Sequence, residues 1–455
     1  MPKNVELSSG SRTLREFLNR QLINVRPIIV NADIHRKCGS SALSLQTAIF
    51  LTINFTIGIG ILNFPKVFAD SGNLTGALIL SGILSVFIIG SIVILSYCVD
   101  ICGADNYEDV VRFFCGPLYS DICAGTIVLY IFGGCMSAFV IIGDQSDRLL
   151  ASLYGSNFCQ FWYLNRQFVV PLVAVTLILP LCFAKHIEFL KYPSLGGVLV
   201  SVYLVFLIIR QYYQSTAKFS LKSSNWTRAT IVIPIVCYGF QTHLNWIPTY
   251  VRVKKKTFSP KVIAIIIISM LIASTSYTLV IIYGVLTWPT EQLESNILKN
   301  YDATDEFVLI GVLCVIFKII TTYPGTFFCA RITIDKWYCK LSKDAISFDN
   351  RLASTVIIWV LTNLVLSTNF PDIGSINDLL GTLSITFIFI HPGMCLFKSI
   401  KVIKYSGPIK LKRLLQIISI SYIIIGVFIA ILSIYQWIDL YLINERPKPL
   451  SLCTI

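Results

Sequence analysis

The chain has 455 residues, 55% of them hydrophobic and 13% charged, with a mean hydropathy of +0.73. A soluble domain carries about 25% charged residues, and a disordered chain needs low hydrophobicity, so both classes are excluded. The surplus of 37 Lys and Arg over 24 Asp and Glu, a net +13, reads as the basic cytosolic loops of a membrane protein rather than a nucleic-acid footprint.

In chain order, residues 1–45 form a polar cytosolic tail through which Arg12, Arg15, Arg20 and Arg26 are spread, with no signal peptide. Apolar runs of about 20 residues, the length that crosses a bilayer as a helix, follow near 46–68, 75–98, 119–143, 167–184, 194–213, 229–251, 262–286, 306–329, 352–370, 374–397 and 413–438. The expected fold class is therefore an all-α polytopic membrane protein of about 11 transmembrane helices. Residues 46–438 form the membrane domain, and 439–455 a tail on the lumenal or extracellular side.

The first span contains Asn54-Phe55-Thr56-Ile57-Gly58-Ile59-Gly60-Ile61-Leu62-Asn63-Phe64-Pro65. Two glycines one residue apart destabilise a helix by roughly 1 kcal/mol each. An unwound segment here frees N–H groups that suit an anion such as a carboxylate. The alternative is a glycine-mediated helix contact. After the third span, Asp144 and Asp147 read as an interfacial helix cap rather than a catalytic pair.

The loop before the sixth span holds the sequon Asn225-Trp226-Thr227, an expected glycosylation site at Asn225. The sixth span itself holds Cys237-Tyr238-Gly239-Phe240-Gln241-Thr242-His243-Leu244-Asn245-Trp246-Ile247-Pro248. A glycine, a proline and four polar side chains in mid-membrane mark a second break, because polar groups there face protein or water. The first and sixth spans are the expected pair if spans one to five and six to ten are repeats.

Arg252-Val253-Lys254-Lys255-Lys256 and the 398–413 stretch are basic. They serve as topology determinants or as contacts to anionic lipid headgroups. The eighth span carries Lys318-Ile319-Ile320-Thr321-Thr322-Tyr323-Pro324. Lys318 is about 18 Å along its span, so either it snorkels to an interface or it is held inside. Thr321 and Thr322 share its face. Their hydroxyls suit a small cation or bond back to their own helix.

With the N-terminus in the cytosol, 26 Lys and Arg fall in cytosolic segments and 9 on the opposite side, which fixes this orientation. Most of the 14 cysteines sit in apolar runs and read as small hydrophobes, so neither a disulfide scaffold nor a metal site is expected. P-loop, HExxH and Gly-x-Ser-x-Gly motifs are missing, so the chain is not read as an enzyme.

Several motifs stand in a fixed order: Gly58-Ile59-Gly60-Ile61-Leu62-Asn63-Phe64-Pro65, Ile141-Ile142-Gly143-Asp144-Gln145, Trp162-Tyr163, Ile178-Leu179-Pro180-Leu181, Gly239-Phe240-Gln241-x-His243, Thr322-Tyr323-Pro324, Pro371-Asp372-Ile373-Gly374 and Phe387-Ile388-Phe389-Ile390-x-Pro392-Gly393. In these the sequence resembles the sodium-coupled neutral amino acid transporter family of the amino acid/auxin permease group. The subgroup it most resembles holds the lysosomal glutamine/asparagine exporter.

The resemblance implies a five-plus-five inverted repeat with the substrate between broken spans one and six. The amino acid carboxylate is expected at the backbone of Gly58, Ile59 and Gly60, with Gln241, Thr242 and His243 by the side chain. The implied sodium site comprises Asn54, Ile57, Thr321 and Thr322. The small-molecule partner is thus an amino acid, the coupling ion Na+ or H+, and the expected location a lysosomal membrane, with plasma membrane as the alternative. Oligomeric state is not given by the sequence.

This sequence departs from the family pattern at Ile59, which is bulkier than the usual Ala or Ser. Thr242 stands for a Cys, and Trp246 for a Ser. The pocket is expected to be smaller or reshaped. Lys318 stands where the family is uncharged: either its ammonium takes the place of the cation, making transport sodium-independent or proton-linked through Lys318 or His243, or it points away from the site and sodium binds normally. A sensor of amino acids is the competing function. It calls for a structured N-terminal docking segment, whereas this tail is polar and without periodicity.

Overall fold

The computed structural model describes residues 43–184, 191–215, 226–253, 260–341, 348–369, 373–402 and 409–440. Asn225, most of the N-terminal tail, the Lys254–Lys256 cluster and the C-terminal tail lie outside them. Among the described residues every regular element is helical, as a bilayer requires of backbone that must satisfy itself.

Among the described residues, eight helices are long and apolar enough to span. Three further elements stand at the first, fourth and sixth predicted spans. The first is a bent pair: α1 (Leu45–Thr56), then a 3₁₀ turn (Ile59–Asn63) leading into α2 (Phe64–Asp70), with a bend of 42°. Next come α3 (Leu74–Cys102), the short α4 (Tyr107–Cys115) and α5 (Pro117–Tyr154). The fourth is α6 (Arg166–Val173), continued through a π turn at Ala174–Ile178 to Cys182. Pro171 and Pro180 remove N–H donors around that turn.

Following α7 (Lys191–Gln214), the sixth span is two helices, α8 (Val232–Gly239) and α9 (His243–Val253). The chain continues through α10 (Pro260–Thr287), α11 (Glu306–Leu341), α12 (Phe348–Asn369), α13 (Ile373–Ile385), α14 (His391–Val402) and α15 (Ile409–Ile438). A π turn at Thr386–Ile390 joins α13 to α14.

Helix α11 packs on α5 and α7, α10 on α1 and α7, and α8 on α13. The broken first span is thus held between α7 and α10, and the broken sixth against α13. The outer surface is hydrocarbon: Ile417, Ile424, Phe428 and Ile431 on α15 are exposed at helical spacing, the face of a spanning helix that meets lipid.

Charged loops assigned to one side of the membrane meet at one end. Asp144 pairs with Arg166 at 2.9 Å and Lys299 at 3.2 Å, and Arg210 with Asp305 at 2.7 Å. At the other end Lys336 reaches Glu108 at 2.5 Å and Asp109 at 2.8 Å, and Arg351 reaches Asp335 at 2.8 Å.

One expectation needs correction here. Asp144 and Asp147 do not cap a helix; both are buried within α5, where Asp144 receives two cations because a buried carboxylate needs partners. The connection between the second and third spans contains α4, whose buried face includes Glu108.

Candidate functional site

The first break arises where the Gly58-x-Gly60 pair follows α1. Ile57 takes φ −81° and ψ 75°, outside the helix, so the last carbonyls of α1 lose their intrahelical partners. Two carbonyls at the break accept from distant donors, Thr56 O in addition to its bond from Gly58 N–H at 2.9 Å. Thr56 O accepts from the Tyr277 hydroxyl at 2.8 Å, and Ile57 O from Lys318 Nζ at 2.6 Å. On the far side the 3₁₀ turn begins with N–H groups that have no acceptor within the turn. Gly60 is required by contact: a Cβ there would stand 2.8 Å from Tyr238 Cε1.

The second break separates α8 from α9. Gly239 O accepts from the same Tyr277 hydroxyl at 2.9 Å. The Tyr277 ring stacks on Phe64 at 4.3 Å and lies 4.9 Å from Phe240. One side chain of α10 therefore holds both interruptions.

A cavity of about 120 Å³ lies where the breaks meet. Of the residues singled out from sequence, Asn54, Gly58, Gly60, Gln241, Lys318 and Thr322 contribute to its wall. Four others stand behind it. Ile57 offers its carbonyl to Lys318, and Thr321 bonds back to Phe317 O and Lys318 O, both at 3.0 Å. Thr242 is buried, and His243 is buried between Ser91 and Gln241.

Lys318 is 2% exposed and does not snorkel. Its Nζ donates to Ile57 O and, at 2.5 Å, to Ser201 Oγ on α7. Ser201 in turn donates to Gly197 O at 2.9 Å. The helices approach closely here, since a Cβ on Gly197 would fall on Asn54 Oδ1.

The residues expected at the cation site hold the following partners. The Ile57 carbonyl already holds the Lys318 nitrogen, and Thr322 Oγ1 donates to Lys318 O at 2.7 Å. Asn54 Oδ1 is buried with no hydrogen-bond partner.

Trp246 does not narrow the cavity as expected. Its indole points to α3, donating to Ser96 Oγ at 2.8 Å, and stacks on Tyr250 at 5.9 Å. The sequence reading missed the aromatic walls Tyr130, Tyr238 and Tyr323. Tyr238 and Tyr323 lie inside the motifs that mark the breaks, so their position was a usable signal. Ser201 carried none.

The transmembrane amino acid transporter protein family model matches residues 41–439. Sodium-coupled neutral amino acid transporter 7 of Danio rerio is 31% identical over 374 residues, 79% of each chain. The Xenopus laevis protein of the same name is 32% identical, covering 83% of this chain and 85% of its own. Human solute carrier family 38 member 8 is 30% identical, covering 87% and 94%. The crystal structure of MhsT in complex with L-phenylalanine superposes with a TM-score of 0.56 at 14% identity, covering 88% of this chain and all of that one, so the two share a fold. Helices interrupted around a shared cavity, the match of a family model over nearly the whole length, and relatives at about this identity have one reading: the chain belongs to the transmembrane amino acid transporter family.

Proposed function

We propose that this chain is a secondary active transporter of neutral amino acids, with glutamine and asparagine foremost, working by alternating access. The observation that carries the reading is the cavity enclosed by both helix breaks. The substrate carboxylate faces the backbone N–H groups around Ile59 and Gly60, with the dipole of the following turn behind it. The side chain faces Gln241, with Thr242 and His243 as its backing. The names of the relatives support neutral substrates, and the repeat-like placement of the breaks supports alternation between two sides.

The Lys318 ammonium occupies the cation position, held by Ile57 O and Ser201 Oγ, and transport does not require sodium. Sodium coupling through Asn54, Ile57, Thr321 and Thr322 is the second reading, favoured by the relatives' names. The N-terminus is cytosolic and the membrane lysosomal. In that orientation Cys159, which is disulfide-bonded, lies on the lumenal side, where oxidising conditions sustain such bonds.

The test is uptake of labelled glutamine into proteoliposomes with and without sodium and a pH gradient. Sodium-free uptake that is lost in Lys318→Ala is expected. Uptake that is fully sodium-dependent, with Lys318→Ala behaving as wild type, overturns the role given to Lys318. Flux without saturation or counter-flow overturns the transporter reading in favour of a channel.

A further inference from the structure

Each ring nitrogen of His243 has one partner. Nε2 lies 2.6 Å from Ser91 Oγ on α3, and Nδ1 lies 2.7 Å from Gln241 Oε1. Ser91 Oγ is also 2.8 Å from the carbonyl oxygen of Ile88. A carbonyl only accepts, and a serine hydroxyl has one proton to give. Two oxygens at that distance repel unless a proton lies between them, so the Ser91 proton goes to Ile88. Ser91 Oγ must then accept from His243 Nε2–H.

His243 is fully buried and forms no ion pair among the described residues. An unpaired buried charge is costly, so the ring is neutral and that proton is its only one. Nδ1 is therefore a bare lone pair facing the Gln241 amide, and only the amide nitrogen supplies a donor. The two ends of an amide are nearly the same shape, and the hydrogen-bond network decides between them. In the opposite polarity Ser91 donates to Nε2 and Nδ1–H to Oε1. That forms one bond fewer and leaves two oxygens in contact without a proton. The end of the amide turned away from His243 is buried with no partner, and Gln241 forms part of the cavity wall.

We propose that Ser91 and His243 are positioning residues that turn the carbonyl oxygen of Gln241, rather than its NH2, toward the cavity, where it accepts a hydrogen bond from an N–H of the substrate side chain. A primary amide supplies that donor. A carboxylate of the same shape sets oxygen against oxygen, and an aliphatic side chain leaves the buried acceptor unpaired. The site thereby selects amide side chains over their acidic isosteres. This rests on the reading of the cavity as the amino acid site.

The test uses the full chain in proteoliposomes, with labelled alanine uptake competed by unlabelled glutamine or glutamate. In wild type, glutamine competes better than glutamate by about tenfold or more. Ser91→Ala removes the acceptor of Nε2–H, frees the ring proton to move to Nδ1 and lets the amide turn. The glutamine-to-glutamate ratio, read on the alanine uptake that remains, then falls to within about threefold of unity. Nitrogen NMR of labelled histidine reports the same change directly, from an Nε2–H to an Nδ1–H ring. If Ser91→Ala does not insert, Gln241→Met is the second variant, and it loses the preference for glutamine over alanine. A wild-type ring protonated on Nδ1, or a ratio unmoved in the variant, overturns the inference while alanine uptake keeps the transporter reading intact. No uptake of any amino acid by wild type overturns both.

Discussion

The two helix breaks solve one problem in opposite ways. At the first, a carbonyl released by unwinding takes a hydrogen bond from an amine that comes from another helix, with a serine hydroxyl as second acceptor and no carboxylate in the set. At the second, the polar groups are neutral and bond to one another through Ser91, His243 and Gln241. An amine buried with no carboxylate beside it among the described residues is expensive to keep protonated in the membrane, whereas a neutral chain of bonds is inexpensive and suits fixed recognition. On the proposed function, the first break is the position for energy coupling and the second the position for reading the substrate.

The largest effect is expected where the charge is removed. Lys318→Met deletes both bonds and the charge, and sodium-free uptake in proteoliposomes should fall about a hundredfold, the equivalent of roughly 2.7 kcal/mol. Uptake that persists at wild-type level without sodium would erase the contrast between the breaks. Next is Gly60→Ala. Its Cβ meets the ring of Tyr238, which is itself packed edge-on against Tyr130 at 6.3 Å. Uptake should drop about tenfold, with protein yield and melting temperature in detergent little changed.

Tyr277→Phe touches both breaks at once. It leaves Gly239 O without the phenol and Thr56 O with only its bond from Gly58 N–H, and a buried acceptor left unpaired costs roughly 1–3 kcal/mol. A thermal-shift assay in detergent should show the loss, and an unchanged melting temperature would mean that the breaks are held elsewhere. The smallest effect belongs to Trp246→Phe, which loses one bond to Ser96, about 1 kcal/mol. Because the indole faces away from the cavity, the ranking of competing amino acids should stay as in wild type. A changed ranking would place Trp246 in the substrate's path.

The spans and their breaks were legible because the bilayer writes them locally. A spanning helix needs an unbroken apolar run, and glycine pairs or mid-membrane polar groups interrupt it only for a reason. Gly60, Gln241, Lys318 and Thr322 were found this way and Asn54 through the family resemblance, and all five share one cavity wall. What stayed hidden depends on how helices rotate against one another. Ser91 and Ser201 sit in ordinary apolar runs and Tyr277 beside a short stretch of Ser and Thr, and nothing within several residues of them announces a partner more than a hundred positions away. Trp246 was misjudged for the same reason. Its size is visible in the sequence, but the face of α9 on which it stands is set by contact with α3.

Tyr277 has one proton for two carbonyls, each within 3 Å. The phenol cannot serve both fully, so each bond is partial while the two broken helices stand together. When either helix end withdraws, the other takes the whole proton, and the bond lost at one end is largely returned at the other. Such a shared donor works as a pivot. It lowers the cost of relative movement between the first and sixth spans while keeping both tethered to α10, and it lets a rigid-looking core tolerate two arrangements.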